Sequence, residues 1–330
     1  MNANAPAIVG IGSVTPYGVL AGPIAPGPLQ PRPITAWPVA GVRRAYLVEP
    51  FRATDVVPSL KTRRLDRLSV WSLVAASLAI KDAGLDLGQV DRSRAAVVVA
   101  TGLGCIELTE AFFRSAADHG WQGTDPILFP ETLGNAPASH VARCLDLRGP
   151  NITVGSKGLA AECALLHAAS LLRHRQADLA VVLAGDTLTR ASYEWYESAG
   201  LLSYACFRTD TVADDCGFIP SEGVTAVVLM AGNTTHWYAA LSADQFAGGG
   251  SVWFCGAGNS ARSRLSAGPG RLKGGLRPRL AAPQGKLTHY QFASSPDPVS
   301  RGLGDAGALL RLVLSLNAAV GPGSLPMELP

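Results

Sequence analysis

Six cysteines and six histidines are the side chains of this 330-residue sequence best suited to nucleophilic or acid–base work. The cysteines stand at 105, 144, 163, 206, 216 and 255, with no Cys-X-X-Cys pair and no Cys/His spacing that would hold a metal. They read as free thiols of a reducing compartment, so the expectation is a cytoplasmic protein with no metal and no cofactor. Two glycine pairs invite a phosphate-binding reading. Gly10-Ile11-Gly12-Ser13 lacks a third glycine in register, Pro16 interrupts the helix that would follow, and no acidic residue stands near twenty positions on. It reads as a tight turn at a strand exit. Gly256-Ala257-Gly258-Asn259-Ser260 lacks the lysine and hydroxyl of a phosphate-binding loop and reads as a plain loop. Two basic clusters complete the set. Arg262, Arg264, Arg271, Lys273, Arg277 and Arg279 occupy a stretch without an acidic or aromatic residue, so stacking on bases has no support. Lys61, Arg63, Arg64 and Arg67 gather at the start of the first helix, offset by Asp66 alone, where cations oppose the helix dipole by roughly a few tenths of a kcal/mol. Both clusters are either solvated surface or contacts for an acidic partner.

The elements that must position these groups alternate between short apolar runs and longer helical patterns, which is the signature of an α/β chain. Ala7-Ile8-Val9, Ala96 to Val99, Leu179 to Leu183, Ala226 to Leu229 and Val252-Trp253-Phe254 are short and buried in style. Leu68, Trp71, Ala75 and Leu78 form a helical stripe that stops at Gly84. A second helix, from about 157 to 175, is apolar through Ala160, Ala161, Leu165, Leu166, Ala169 and Leu172, and a helix apolar on most faces is buried on most faces. A third spans about 307 to 316, and residues 23–38 and 262–279 are loops. The chain is ample for a sizeable core. Charged residues make up 16%, well under the roughly 25% usual for globular chains, so some surface is expected to face another protein. Net charge is +3, too little to argue for nucleic acid. The first 31 residues carry no charge, but glycines and prolines break any apolar helix there, so neither a secretory signal nor a membrane span is expected.

Several strings, taken in order, resemble the β-ketoacyl synthase family. Ala7 to Gly18 looks like its opening strand and turn; Phe129 to Asn135 and Gly149 to Val154 match the approach to its active-site helix. Ala177 to Asp186 and Gly217 to Gly223 are similar to the strands that follow, and Leu303 to Ala308 to a late glycine-rich turn. The resemblance implies a thiolase-like, layered α/β/α/β/α fold in one unit. Residues 1–235 would form its N-terminal half and 236–330 a shortened C-terminal half, without the family's closing strands.

The family's chemistry uses a cysteine at the tip of the central helix, two histidines and a lysine. Ungapped matching puts Gly158 at the cysteine position; Gly256 and Arg301 fall at the histidines and Pro296 near the lysine. No nucleophile stands where the chemistry needs one. Cys163 lies about 140° around the helix from Gly158 and reads as core, as does His167. Ser156 has no identifiable base, and His289 without a thiol assembles no reaction. The resemblance therefore implies an inactive chain length factor-like subunit that pairs with an active ketosynthase and receives an acyl carrier protein. The aromatic-pathway subunits of this kind carry glutamine where this chain has glycine. Asn151, Ile152, Thr153, Val154 and Gly155 would form the edge that pairs across a pseudo-twofold axis. Leu103, Phe112, Phe113, Leu128, Phe129, Thr132 and Asn135 would line the acyl tunnel. Lys61, Arg63, Arg64, Arg271 and Lys273 are candidates for carrier docking. Two alternatives stand: an acyltransferase using Cys163, Ser156 or Cys255, and an acyl-binding scaffold without a ketosynthase partner.

Overall fold

The computed structural model describes residues 6–24, 29–38, 41–58, 60, 62–156, 160–203, 206, 217–231 and 238–240. The strand expected at Val252 to Phe254, the helix at 307 to 316 and the loop at 262–279 lie outside them.

A mixed, seven-stranded sheet runs through the described residues. Its strands are β1 (Ala7–Thr15), β2 (Gly18–Ala21), β5 (Ala95–Thr101), β6 (Asn151–Gly155), β7 (Leu179–Asp186), β8 (Gly223–Met230) and β9 (Ala239–Ala240). The spatial order is β2-β1-β8-β7-β5-β6, with β9 also on β1. β5 pairs in parallel with both β6 and β7, while β8 lies antiparallel to β1 and β7. The two-residue strands β3 (Arg32–Pro33) and β4 (Arg44–Ala45) form a small separate ladder inside what reads as loop.

Helices cover both faces. On one side lies α1 (Arg67–Asp82), with α3 (Ala136–Leu145) packed beside it; on the other lies α4 (Ala160–Arg173). The period-two alternation of a strand sorts the side chains between them. Ala95, Val97 and Val99 face α1, whereas Ala96, Val98 and Ala100 face α4. Each fully buried valine or leucine contributes roughly 1.5–3 kcal/mol. α4 meets the sheet through Ala160, Ala161, Ala164, Ala168 and Ala169, small enough to let the helix lie close.

The turn reading of Gly10 to Ser13 is wrong. These residues sit inside β1, fully buried, and their glycines serve packing. A Cβ on Gly10 would lie 2.2 Å from the Ala79 carbonyl oxygen, and one on Gly12 equally close to that of Ala75. The register shift between Ile8 and Gly10 is a bulge that turns both Val9 and Gly10 toward α1. Gly84, at φ +63°, follows the end of α1 as expected of a helix-terminating glycine.

α4 departs from the all-round burial its composition suggests. Leu166 is 38% exposed and His167 and Ser170 are exposed, so His167 is not a core histidine. The described residues place one sheet against α4, and its other face carries these side chains.

Candidate functional site

The parallel strands end at Thr101, Gly155 and Asp186, and the chain leaves β5 there to build the region in which sequence placed the tunnel. After the glycines 102 and 104, α2 (Ile106–His119) presents two adjacent phenylalanines. Phe112 is buried, and it gathers the others: its ring centroid lies 5.8 Å from Phe113 and 5.8 Å from Phe129. Phe113 in turn meets Trp121 edge-on at 6.2 Å. Such pairs are worth about 0.5–1.5 kcal/mol beyond their burial.

The cluster is open on its outer side. Trp121 is 69% exposed, Ile127 58%, Phe113 54%, Phe129 51% and Leu133 44%, and the rings among them are joined through Phe112 and Phe113. Trp121 escaped sequence reasoning; the available signal was a tryptophan set in the polar turn Gly120-Trp121-Gln122-Gly123, with nothing nearby to bury it. Leu103, Leu128 and Thr132 are half-buried and Asn135 is exposed at the start of α3. The two wall segments touch where Gly104 approaches Gly134: a Cβ on Gly104 would stand 3.3 Å from the Gly134 Cα.

Polar contacts hold the short helical turn Phe129–Thr132 in place. The Thr109 hydroxyl donates to the Thr132 carbonyl at 3.1 Å. His140, on α3 and 7% exposed, sits between Glu131 at 2.7 Å and Arg143 at 2.9 Å. A guanidinium only donates, so Arg143 bonds the lone pair on Nδ1, and the Nε2 proton goes to Glu131. Both ring nitrogens are committed in this arrangement.

The thiols fare no better as nucleophiles. Cys105 caps α2 but is buried, and burial, with the charge of Asp66 added, pushes its thiol far up. Cys144 is exposed and Cys163 is half-buried on α4 rather than core. Ser156 is exposed, its amide donating to the Thr101 carbonyl at 3.3 Å. Gly158, Gly256, Pro296, Arg301 and Cys255 lie outside the described residues, as do Lys61, Arg271 and Lys273. Among the described residues no group of three or more His, Cys, Asp or Glu could hold a metal, and no helix is long and apolar enough to cross a membrane.

The basic cluster before α1 divides in two. Arg63 and Arg64 are exposed, and Arg64 sits at φ +71°, an uncommon conformation for a side-chain-bearing residue. Arg67 is consumed internally. It pairs with Glu107 at 2.9 Å and Glu222 at 3.2 Å, donates to the Leu188 carbonyl at 2.7 Å and lies over the Trp71 ring. Asp66 caps the helix by accepting from Leu68 at 2.8 Å and also takes the Leu108 amide at 3.0 Å. The expected clash with the helix dipole is thereby answered by Asp66, Glu107 and Glu222. Glu222 further accepts the amides of Val48 and Leu188, each at 3.2 Å, and burial raises its carboxyl above the usual range against the pull of Arg67.

β6 forms one margin of the sheet: among the described residues it pairs with β5 alone. Val97 donates to the Pro150 carbonyl and Ser156 to that of Thr101, so even-numbered residues of this strand point their backbone groups at β5. Asn151, Thr153 and Gly155 therefore turn their N–H and C=O outward.

The chain belongs to the beta-ketoacyl synthase family, whose N-terminal domain matches residues 30–234. It is 27% identical over 139 residues to 3-oxoacyl-acyl-carrier-protein synthase 2 of Vibrio harveyi, covering 42% of this chain and 34% of the relative. The Synechocystis protein of the same name is 26% identical over 193 residues, 55% of this chain and 45% of its own length. The matches thus span less than half of these curated relatives. Among solved structures, a beta-ketoacyl synthase of Burkholderia phymatum gives a TM-score of 0.57 at 20% identity, covering 69% of this chain and 59% of that one. The ishigamide ketosynthase/chain length factor gives 0.53 at 21% identity, covering 68% and 62%. A type II PKS acyl-carrier protein in complex with its ketosynthase bound to the hexaketide gives 0.55 at 16%, covering 69% and 62%. The fold is the thiolase-like fold of ketosynthases.

Proposed function

We propose that this chain is a non-catalytic, chain length factor-like subunit that pairs with an active β-ketoacyl synthase and shapes its acyl tunnel. What carries the reading is Gly158, which ungapped matching sets at the position of the family's nucleophilic cysteine. A helix tip lowers a thiol pKa and offers amides to an oxyanion, but without sulfur there is nothing to acylate. The outward backbone of β6 and the exposed rings of Phe113, Trp121 and Phe129 support a partner, since unpaired strand edges and clustered apolar side chains are common contact surfaces. Likeness to a ketosynthase/chain length factor and to a carrier-protein complex supports the kinds of partner. Arg63 and Arg64 would meet the acidic carrier protein, acting mostly on association rate and mostly at low salt. The product would be a polyketide, including a polyene, or a specialised fatty acid, made in the cytoplasm.

In this reading Phe112, Phe113 and Phe129 measure the chain sterically, because overpacking a filled cavity costs about 1–3 kcal/mol. Co-expression with a companion ketosynthase, size measurement and product mass provide the test. The expected result is a stable one-to-one complex, longer products with Phe129→Ala, and no acyl mass shift on the chain alone. Condensation of malonyl thioesters by the chain without a companion would overturn the reading.

A further inference from the structure

Thr101 and Asp186 close the adjacent strands β5 and β7, and one carboxylate organises the loop between them. Asp186 Oδ1 accepts the Thr101 hydroxyl at 2.6 Å, the Leu103 amide at 2.8 Å and the Gly102 amide at 3.0 Å. Its Oδ2 lies 3.1 Å from the same Gly102 amide, and the Thr101 hydroxyl oxygen accepts from Gly104 at 2.8 Å. Asp186 is 9% exposed. Consecutive amides converging on one anion form a nest, and bonds to an ionised acceptor are stronger than neutral ones. The loop so closed carries Leu103, leads through Cys105 into α2 and presses Gly104 against Gly134. The backbone joint between the two aromatic wall segments therefore hangs on this carboxylate.

We propose that Asp186 is the positioning residue of the acyl-tunnel wall, an internal anion whose occupation of the 102–103 nest sets where Leu103 and the α2 phenylalanines stand. The inference rests on the tunnel reading above. Asp186 touches no acyl chain; it acts through the loop. A wall hung on one joint shifts as a unit when the joint loosens, so chain-length selectivity is lost without loss of the wall's side chains. A vacated nest would also accept a small carboxylate from solution.

The test uses the chain co-expressed with a companion ketosynthase, in wild-type, Asp186→Ala, Asp186→Asn and Phe112→Ala forms. Amide exchange at 102–104 and product length are the readouts, each with and without excess formate. For Asp186→Ala, exchange should become at least about tenfold faster, the product distribution should broaden, and formate should restore both toward wild type. Should the alanine variant fail to fold, the isosteric Asp186→Asn is read in the same way. It should show faster exchange and broadened products, without rescue. Unchanged exchange in these variants would overturn the nest. Faster exchange with unchanged products, while Phe112→Ala alters them, would overturn the positioning role alone. If neither Asp186 nor Phe112 variants alter the products, the tunnel reading falls and this inference with it.

Discussion

α1, unlike α2, looks onto a neighbourhood that the chain itself completes. Along its length the helix is pressed onto β1 so closely that only glycine fits beneath Ala75 and Ala79, and at its start Asp66, Arg67 and Glu222 satisfy one another and the backbone around them. By contrast, α2 and the turns that follow cluster four large apolar rings, of which Phe113, Trp121 and Phe129 stand half or more in water, and among the described residues β6 pairs with β5 alone. The first region is complete within the chain; the second has the residues of a core and the exposure of a surface.

Breaking the closed side should cost the most. Gly12→Ala drives a Cβ to 2.2 Å from a helix carbonyl, and we expect a loss above about 4 kcal/mol, seen as insolubility or collapse of the thermal transition. Gly134→Ala, with nothing within 4 Å of its added Cβ, serves as the control and should shift stability by less than about 1 kcal/mol. On the open side the expectation reverses. Thr153→Pro removes an outward donor and no bond to β5, so the lone chain should keep its stability to about 1 kcal/mol while complex formation with a ketosynthase is lost by size measurement. If the pair still assembles, β6 is not the contact edge.

The smallest effect sharpens the closed side through pH. Burial lifts the Glu222 carboxyl above its ordinary 4.5, so the stability it contributes is complete below that value and declines as pH rises through its folded-state pKa. Glu222→Gln does not titrate. The variant should therefore gain on the wild type as pH rises above 4.5 in urea unfolding. A constant difference across that range would mean the carboxylate is already ionised there.

Much of this architecture was legible in order of residues. Apolar runs gave β1, β5, β7 and β8, and Gly84 marked the end of α1, because burial and helix termination are local patterns. The misreadings share a cause. Gly10 and Gly12 were taken for a turn because a glycine needed for close approach looks the same in sequence as one needed for a positive φ. Arg67 was counted among surface cations because its partners, Glu107 and Glu222, lie 40 and 155 residues away. His167 was given to the core because apolar composition says nothing of which helix face a second layer must cover. At the site, Phe112, Phe113 and Phe129 were found through the family resemblance. Trp121 and Asp186 were not, since a ring contact between elements and a carboxylate received by backbone amides leave no periodic trace.

Along Asn151, Thr153 and Gly155 the outward groups run N–H then C=O, so a second copy laid antiparallel about Thr153 would meet each donor with an acceptor. Main-chain donors and acceptors set out with that symmetry greet any extended segment alike, another copy included. If β6 is the contact edge, the choice of mate would fall to side chains rather than to the ladder.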